Sequence, residues 1–199
     1  GGSWEYNKKV PESWQVKYKN LTFNIKPMGF KHTGLFPEQA VNWDWMINKI
    51  KNEKREVKVL NLFAYTGGAT VACLSAGASV CHVDSSKGMT AWAKENVISS
   101  GLEKKSVRYI VDDVFKFVNR EIRRGNKYDA IIMDPPSYGR GKNGEVWQFE
   151  NNIYDFINED DNFSFVKIDR IAFNFNYEKD DFRRIKAAIC YVIKEINNS

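Results

Sequence analysis

The order of apolar runs along the chain predicts an α/β fold built on a parallel sheet. Between Val57 and Met133, apolar runs of strand length alternate with stretches of helical periodicity. Alternation at these lengths is what right-handed βαβ crossovers require. Size and composition agree: 199 residues, 43% apolar and 28% charged, suffice for one domain with a buried core, or one domain with a small appendage. They exclude a collagen, a disordered tail and a disulfide-held miniprotein.

Residues 4 to 36 are rich in aromatic and β-branched side chains. Trp14, Val16 and Tyr18 share one parity, Leu21, Phe23 and Ile25 follow, and Lys19-Asn20 lies between them as a turn, so an N-terminal β-hairpin is expected. After Pro37, the residues Val41, Trp45, Ile47 and Ile50 take helical spacing, ending in the charged link Lys51 to Glu56. The alternating series then runs as strand Val57 to Phe63, helix Ala69 to Ala76, strand Ser79 to Val83 and helix Lys87 to Ser99, stopped by Gly101. Strand Val107 to Val111, helix Val114 to Arg124, stopped by Gly125, and strand Tyr128 to Met133 complete it. In the tail, Phe163 to Phe175 reads as one or two strands. Asp180 to Ile196 reads as an amphipathic helix with Ile185, Ile189, Val192 and Ile196 on one face. This divides the chain into an N-terminal hairpin and covering segment, 1–45, and an α/β domain, 46–199, whose end, 158–199, is atypical.

Thirty Lys and Arg against 25 Asp and Glu give a formal charge of +5, which permits a nucleic-acid partner without requiring one. Cys73, Cys81 and Cys190 are odd in number, form no C-x-x-C pair and sit among apolar neighbours, the pattern of reduced thiols in a cytoplasmic protein. No apolar run is long enough to cross a bilayer and no signal peptide is visible, so no membrane association is expected.

In an open parallel sheet, ligands bind outside the carboxyl ends of the strands. The first strand of the series runs into Ala64-Tyr65-Thr66-Gly67-Gly68, whose adjacent glycines allow a tight turn and close approach to a ligand at a helix N-terminus. The second ends in Asp84, about twenty residues beyond the turn, where a carboxylate can accept both hydroxyls of an adenosine ribose. The third ends in Asp112-Asp113, suited to an adenine amino group. The fourth ends in Asp134-Pro135-Pro136-Ser137-Tyr138, where two prolines remove two amide donors and stop the strand with Asp134 at its edge.

VLNLFAYTGGAT, CHVDSSKGMTAWAKEN, IVDDVFKFV and DAIIMDPPSYGRGKNGEVW, preceded by FKHTGLFPEQAVNW, resemble the class I S-adenosylmethionine (SAM)-dependent methyltransferases. The resemblance is to the family allied to bacterial 23S ribosomal RNA methyltransferases and covers about Trp4 to Glu150. It implies a Rossmann-like sheet with helices on both faces, SAM as cofactor and an RNA substrate, most plausibly ribosomal. It also implies that Phe63, Ala64, Tyr65, Thr66, Gly67 and Gly68 wrap the methionine moiety, and that Asp84 holds the ribose with Ser85 beside it. Asp113, with Asp112 as the alternative, would meet the adenine. The segment Lys31 to Gln39, with Thr33 and Gln39, would cover the cofactor. Asp134, Pro135 and Tyr138 would stand at the methyl-transfer centre, the motif departing from the aromatic-fourth pattern at Ser137. Ser137, Arg140 and Lys142 would face the substrate. After this block the family adds a helix and three strands, to which the last fifty residues do not correspond, so the C-terminal half of the sheet is expected to be incomplete or replaced.

Other readings of these residues are simpler. Asp84 could cap the helix beginning near Lys87, a role Ser85 or Ser86 could also fill. His32 reads as a hydrogen-bonded structural residue and His82 as core. Cys73 and Cys81 read as inert small apolar groups, not nucleophiles. The two histidines lack the spaced partners of a metal site, so no metal is expected. A catalytically silent SAM- or RNA-binding module is the rival to an active enzyme. An NAD-dependent oxidoreductase is disfavoured by the absence of G-x-G-x-x-G.

Overall fold

The computed structural model describes residues 5–28, 32–136, 138–140, 146–148, 170–173 and 188–193. The hairpin forms as β1 (Trp14–Tyr18) and β2 (Leu21–Ile25), antiparallel with Tyr18 opposite Leu21. Lys19 takes the left-handed conformation its tight turn demands, φ 53°. A 3₁₀ turn, Pro37–Gln39, leads into α1 (Ala40–Asn52). The alternating series follows as β3 (Lys58–Leu62), α2 (Gly68–Ser75), β4 (Ser79–Asp84), α3 (Lys87–Ser99), β5 (Val107–Val111), α4 (Val114–Arg123) and β6 (Ala130–Met133). Two short strands, β7 (Tyr138–Arg140) and β8 (Val146–Gln148), pair antiparallel beyond it. Ser86 caps α3, its hydroxyl accepting from the Met89 amide at 3.3 Å, and Asp113 caps α4, accepting from the Lys116 amide at 3.0 Å.

The described strands of the main sheet run in the order β5-β4-β3-β6, followed by β10 (Ala188–Ile193) and β9 (Arg170–Phe173). The first four are mutually parallel, whereas β10 is antiparallel to both β6 and β9. Here the expected tail helix, 180–196, is corrected: within it, Ala188–Ile193 is a strand. Its sequence, AICYVI, is rich in β-branched and aromatic residues, and β6 has an edge whose amides and carbonyls need partners. Pairing with that edge prevails over the helical spacing. The remainder of that segment, and the expected strand residues outside 170–173, lie beyond the described residues.

The sheet buries both faces. On one, Val59, Val80 and Ile132 pack with Phe23 of the hairpin, Trp43 and Met46 of α1 and Val71 and Leu74 of α2. On the other, Leu60, Leu62, Cys81, Val83 and Met133 pack with Val114, Phe117 and Val118 of α4. Cys73 and Cys81 are free and buried, and burial pushes the Cys73 thiol up to about 12.

A polar chain runs through the first of these layers. Asn61 Nδ2 donates to Thr70 Oγ1 at 2.9 Å, and Thr70 Oγ1 lies 2.9 Å from His82 Nδ1. The Thr70 hydroxyl, with one proton and two lone pairs, can accept from Asn61 and still either donate to or accept from the ring, while the other ring nitrogen, Nε2, is buried without a hydrogen-bond partner among the described residues. His82 is wholly buried, and desolvation lowers its pKa from 6.5 to about 4. On acidification the unfolded chain takes up this proton first. The contribution of His82 is therefore complete above about pH 6.5 and is lost as pH falls toward 4. Relative to His82→Gln, the parent should lose on the order of 3 kcal/mol between pH 7.5 and pH 4, measured by urea denaturation of both proteins. A pH-independent difference would mean that His82 does not stay neutral in the fold.

Candidate functional site

The register of the central strands fixes where their carboxyl ends emerge. Leu62 of β3 lies opposite Val83 of β4 and Met133 of β6, and Asp84 lies opposite Val111 of β5. The turn Phe63–Gly68, the Asp84–Ser86 segment, Asp112-Asp113 and Asp134-Pro135-Pro136 therefore leave the sheet at one edge, the position ligands occupy in open α/β sheets.

The first turn is strained. Phe63, Tyr65 and Gly67 all have positive φ, 53°, 49° and 81°. For Phe and Tyr this conformation costs about 1–3 kcal/mol each, and it persists only where the surroundings impose it. Here they do. The Ala64 amide donates to the Val83 carbonyl at 3.0 Å, and the Gly67 amide to the Ala64 carbonyl at 2.9 Å. The Tyr65 amide donates to Asp84 Oδ2 at 2.8 Å, and the Thr66 hydroxyl to the Gly34 carbonyl at 2.5 Å. A Cβ on Gly67 would lie 2.8 Å from that of Ala93, so glycine is required for packing as well as for conformation.

The four acidic positions differ in what holds them. Asp84 accepts through both oxygens, Oδ2 from Tyr65 and Oδ1 from the Ser86 amide, each at 2.8 Å. Burial raises its pKa, and the two amide bonds oppose that rise. It does not cap α3, since Ser86 does. Asp112 accepts from the Asp113 amide at 2.9 Å and pairs with Arg120, whereas Asp113 caps α4. At the end of β6, the surrounding protein desolvates Asp134 and the Glu38 carboxylate adds repulsion. Together they push its carboxyl up to about 6, although the residue presents its surface at the rim.

Beside the ends of β3 and β6 opens a solvent-accessible cleft. It brings together Phe63, Ala64, Tyr65, Thr66 and Gly68 from the turn, Gln39 from the 3₁₀ turn, and Asp134. The Phe36 ring leans against that of Tyr65, centroids 5.7 Å apart, and the His32 ring meets Phe36 edge-on. Asp84 braces the turn from behind. Asp112, Asp113 and the exposed Ser85 do not line the cleft. Thr33 lines not this cleft but a neighbouring open hollow beneath the hairpin, which shares Leu35 and Trp43 with it. Pro135 is buried, and Tyr138 on β7 is half exposed and outside the cleft. The Arg140 backbone belongs to β7, while Ser137 and Lys142 lie outside the described residues.

Three lining residues carry no expectation from the sequence: Trp43, Asn61 and Ile132. Asn61 had a visible signal, an amide inside the apolar run Val57 to Phe63. Trp43 had none, because only the crossing of α1 brings it to the cleft. Among the described residues no group of three or more His, Cys, Asp or Glu side chains could hold a metal ion, and no helix is long and apolar enough to cross a membrane.

Comparison with known proteins gives the same reading. A SAM-dependent methyltransferase from Agrobacterium tumefaciens, known from its crystal structure, is 43% identical with a TM-score of 0.75, over 78% of this chain and 50% of that one. Ribosomal RNA large subunit methyltransferase I of Enterobacter sp. (strain 638) is 39% identical over 89 residues, 44% of this chain and 22% of that protein. Ribosomal RNA large subunit methyltransferase K/L of Shewanella baltica (strain OS155 / ATCC BAA-1091) is 35% identical over 124 residues, 62% of this chain and 16% of that protein. The chain thus spans about a fifth of the length of these curated relatives and half of the crystallised one. Residues 138–199 are similar to a second family, the HHH domain of the ATP-dependent RecD2 DNA helicase. Residues 3–153, which carry every element of the cleft, match the family of S-adenosylmethionine-dependent methyltransferases over more than half of the chain, and the protein belongs to that family.

Proposed function

We propose that the cleft binds SAM and that the protein transfers the methyl group to a base of RNA, with ribosomal RNA as the substrate class. The observation that carries this reading is the convergence of the strained Phe63–Gly68 turn, braced by Asp84, with Asp134 across one cleft. The residues present fit the cofactor. Each Asp84 oxygen accepts one backbone amide and keeps a lone pair, which suits the two hydroxyls of a ribose. Phe36 and Tyr65 offer aromatic faces beside the cleft, a suitable setting for a cation. When bound, SAM supplies an electrophilic methyl group on a sulfonium, so alignment and exclusion of water are the main tasks left to the protein.

In this reading Asp113, or Asp112, meets the adenine, Gln39 and Thr33 belong to the covering segment, and Ser85 lies beside the ribose. Asp134 and the Pro135 carbonyl accept from the target group, and Tyr138 stacks on a base turned out of its helix. Ser137, Arg140 and Lys142 face the RNA strand, the two cations meeting phosphates. The substrate class is supported by the names of the ribosomal RNA relatives and by the net charge of +5. A cytoplasmic setting follows from that substrate and from the reduced thiols.

Three measurements test this. Asp84→Ala should weaken SAM binding by about 1.5–3 kcal/mol in calorimetry, the worth of hydrogen bonds to a charged group, and unchanged affinity would remove the ribose contact.

An ionised Asp134 is the stronger acceptor for the target's hydrogen bond, whereas protonation adds a donor that opposes it. The kcat/KM of the parent should therefore fall as pH drops through about 6, and Asp134→Asn should abolish that limb of the profile. Asp134→Ala should suppress transfer with SAM affinity nearly intact, whereas retained SAM affinity without turnover in the parent would favour the silent module.

RNA affinity should weaken steeply with salt. The double variant Arg140→Ala, Lys142→Ala should reduce the log–log slope by about 1.4 if both meet phosphates of a single strand. Tyr138→Ala should cost roughly 1–3 kcal/mol of RNA affinity with that slope unchanged. A parent slope near zero would exclude an RNA track beside this site.

A further inference from the structure

β2 has one edge paired with β1 and another facing α3, and side chains of α3 occupy the place of a further strand. The Ser100 hydroxyl accepts from the Thr22 amide at 3.0 Å and donates to the Thr22 carbonyl at 2.9 Å. Two residues along, the Asn24 amide donates to Asn96 Oδ1 at 2.8 Å, and Trp92 Nε1 donates to the Asn24 carbonyl at 2.8 Å. Ser100 stops there. Asn96 does not: its Nδ2 donates at 2.8 Å to the carbonyl of Thr66, inside the strained turn of the cleft. Asn96 is wholly buried, and its Oδ1 also accepts from Asn24 Nδ2 at 3.1 Å, so its amide orientation is fixed by donors on one side and an acceptor on the other.

This single side chain joins the two walls of the cleft. One wall is the N-terminal arm, which continues from β2 through Gly34, packed against the Trp92 ring, to Phe36 and Gln39. The other is the turn Phe63–Gly68. Between the walls themselves runs the bond from the Thr66 hydroxyl to the Gly34 carbonyl. The turn holds two non-glycine residues in the left-handed region, so it relaxes if a tie is released. We infer that Asn96 is a positioning residue for the cofactor: it touches neither cofactor nor substrate, and it sets the spacing between the arm and the turn that close the cleft. This rests on the reading of the cleft as the SAM site.

Asn96→Asp keeps the acceptor for Asn24 but sets a carboxylate oxygen against the Thr66 carbonyl, and Ser100→Ala breaks the same seam between hairpin and helix with no link to the turn. S-adenosylhomocysteine binding is measured by calorimetry on the parent, Asn96→Asp, Asn96→Ser and Ser100→Ala, with thermal melts of each. At pH 8.5 Asn96→Asp should raise the Kd about tenfold, the loss of roughly one hydrogen bond, and Asn96→Ser should do similarly. Ser100→Ala should stay within twofold of the parent despite a lower melting temperature. As pH falls to 6, the introduced carboxyl gains a proton to donate to Thr66, so the Kd ratio of Asn96→Asp to parent should shrink toward one. A Kd equal to the parent's in both Asn96 variants, or an equal rise in Ser100→Ala, would overturn the inference while leaving the cofactor reading in place. A parent that binds no S-adenosylhomocysteine would overturn both.

Discussion

Parallel pairing of β3 on both edges is the constraint from which the rest of this structure follows. With β4 on one side and β6 on the other, the backbone of β3 is satisfied along its length, and its side chains must alternate between two buried faces. That pairing puts three strand ends level. The turn after β3, the acid after β4 and the acid after β6 are close because of register, not because of any attraction between them.

The chemistry of the edge rests on polar ties behind it. The carboxylate of Asp84 is held by backbone amides of two separate segments, so it ties the turn after β3 to the start of α3. A buried acid with two such bonds resists displacement, whereas Asp134, desolvated and next to Glu38, sits close to neutrality in its proton balance. Two carboxylates at one edge are thus set apart by environment alone: one is tied into the backbone of the turn, the other lines the cleft and is responsive to pH.

Much of this was legible because local and global signals agreed. Period and stop residues place Lys87–Ser99 and Val107–Val111 as helix and strand, and the parity of Trp14, Val16 and Tyr18 marks the hairpin. Where a segment's state depends on a distant partner, the agreement ends. Ala188–Ile193 carries helical spacing and strand propensity together, and the open edge of β6 decides between them. The same holds within the site. Glycine and acid spacing point to Gly67, Asp84 and Asp134, yet Trp43 reaches the cleft only through the packing of α1, and Thr33 lines the neighbouring hollow instead. Asp112 and Asp113 likewise differ in tertiary partners, Arg120 for one and the α4 terminus for the other, which their adjacent places in the sequence do not reveal.

The seam between the hairpin and α3 has a consequence for the order of assembly. Its bonds join residues 68 to 84 positions apart, whereas β3 meets β4 across only about twenty. During synthesis the hairpin emerges first, and the helix that must cover its open edge follows roughly 4–16 s later at ordinary elongation rates. Through that interval β2 has an unpaired edge and an exposed Phe23, the features that recruit chaperones or invite wrong pairing. The β3–β4–β5 part of the sheet can form by short-range closure before the hairpin docks, because local contacts cost less chain entropy, whereas β6 reaches β3 only across 71 positions, Val59 to Ala130. The cleft is therefore completed from both sides by long-range closure, and competence to bind a ligand there reports that the chain through β6 has finished folding.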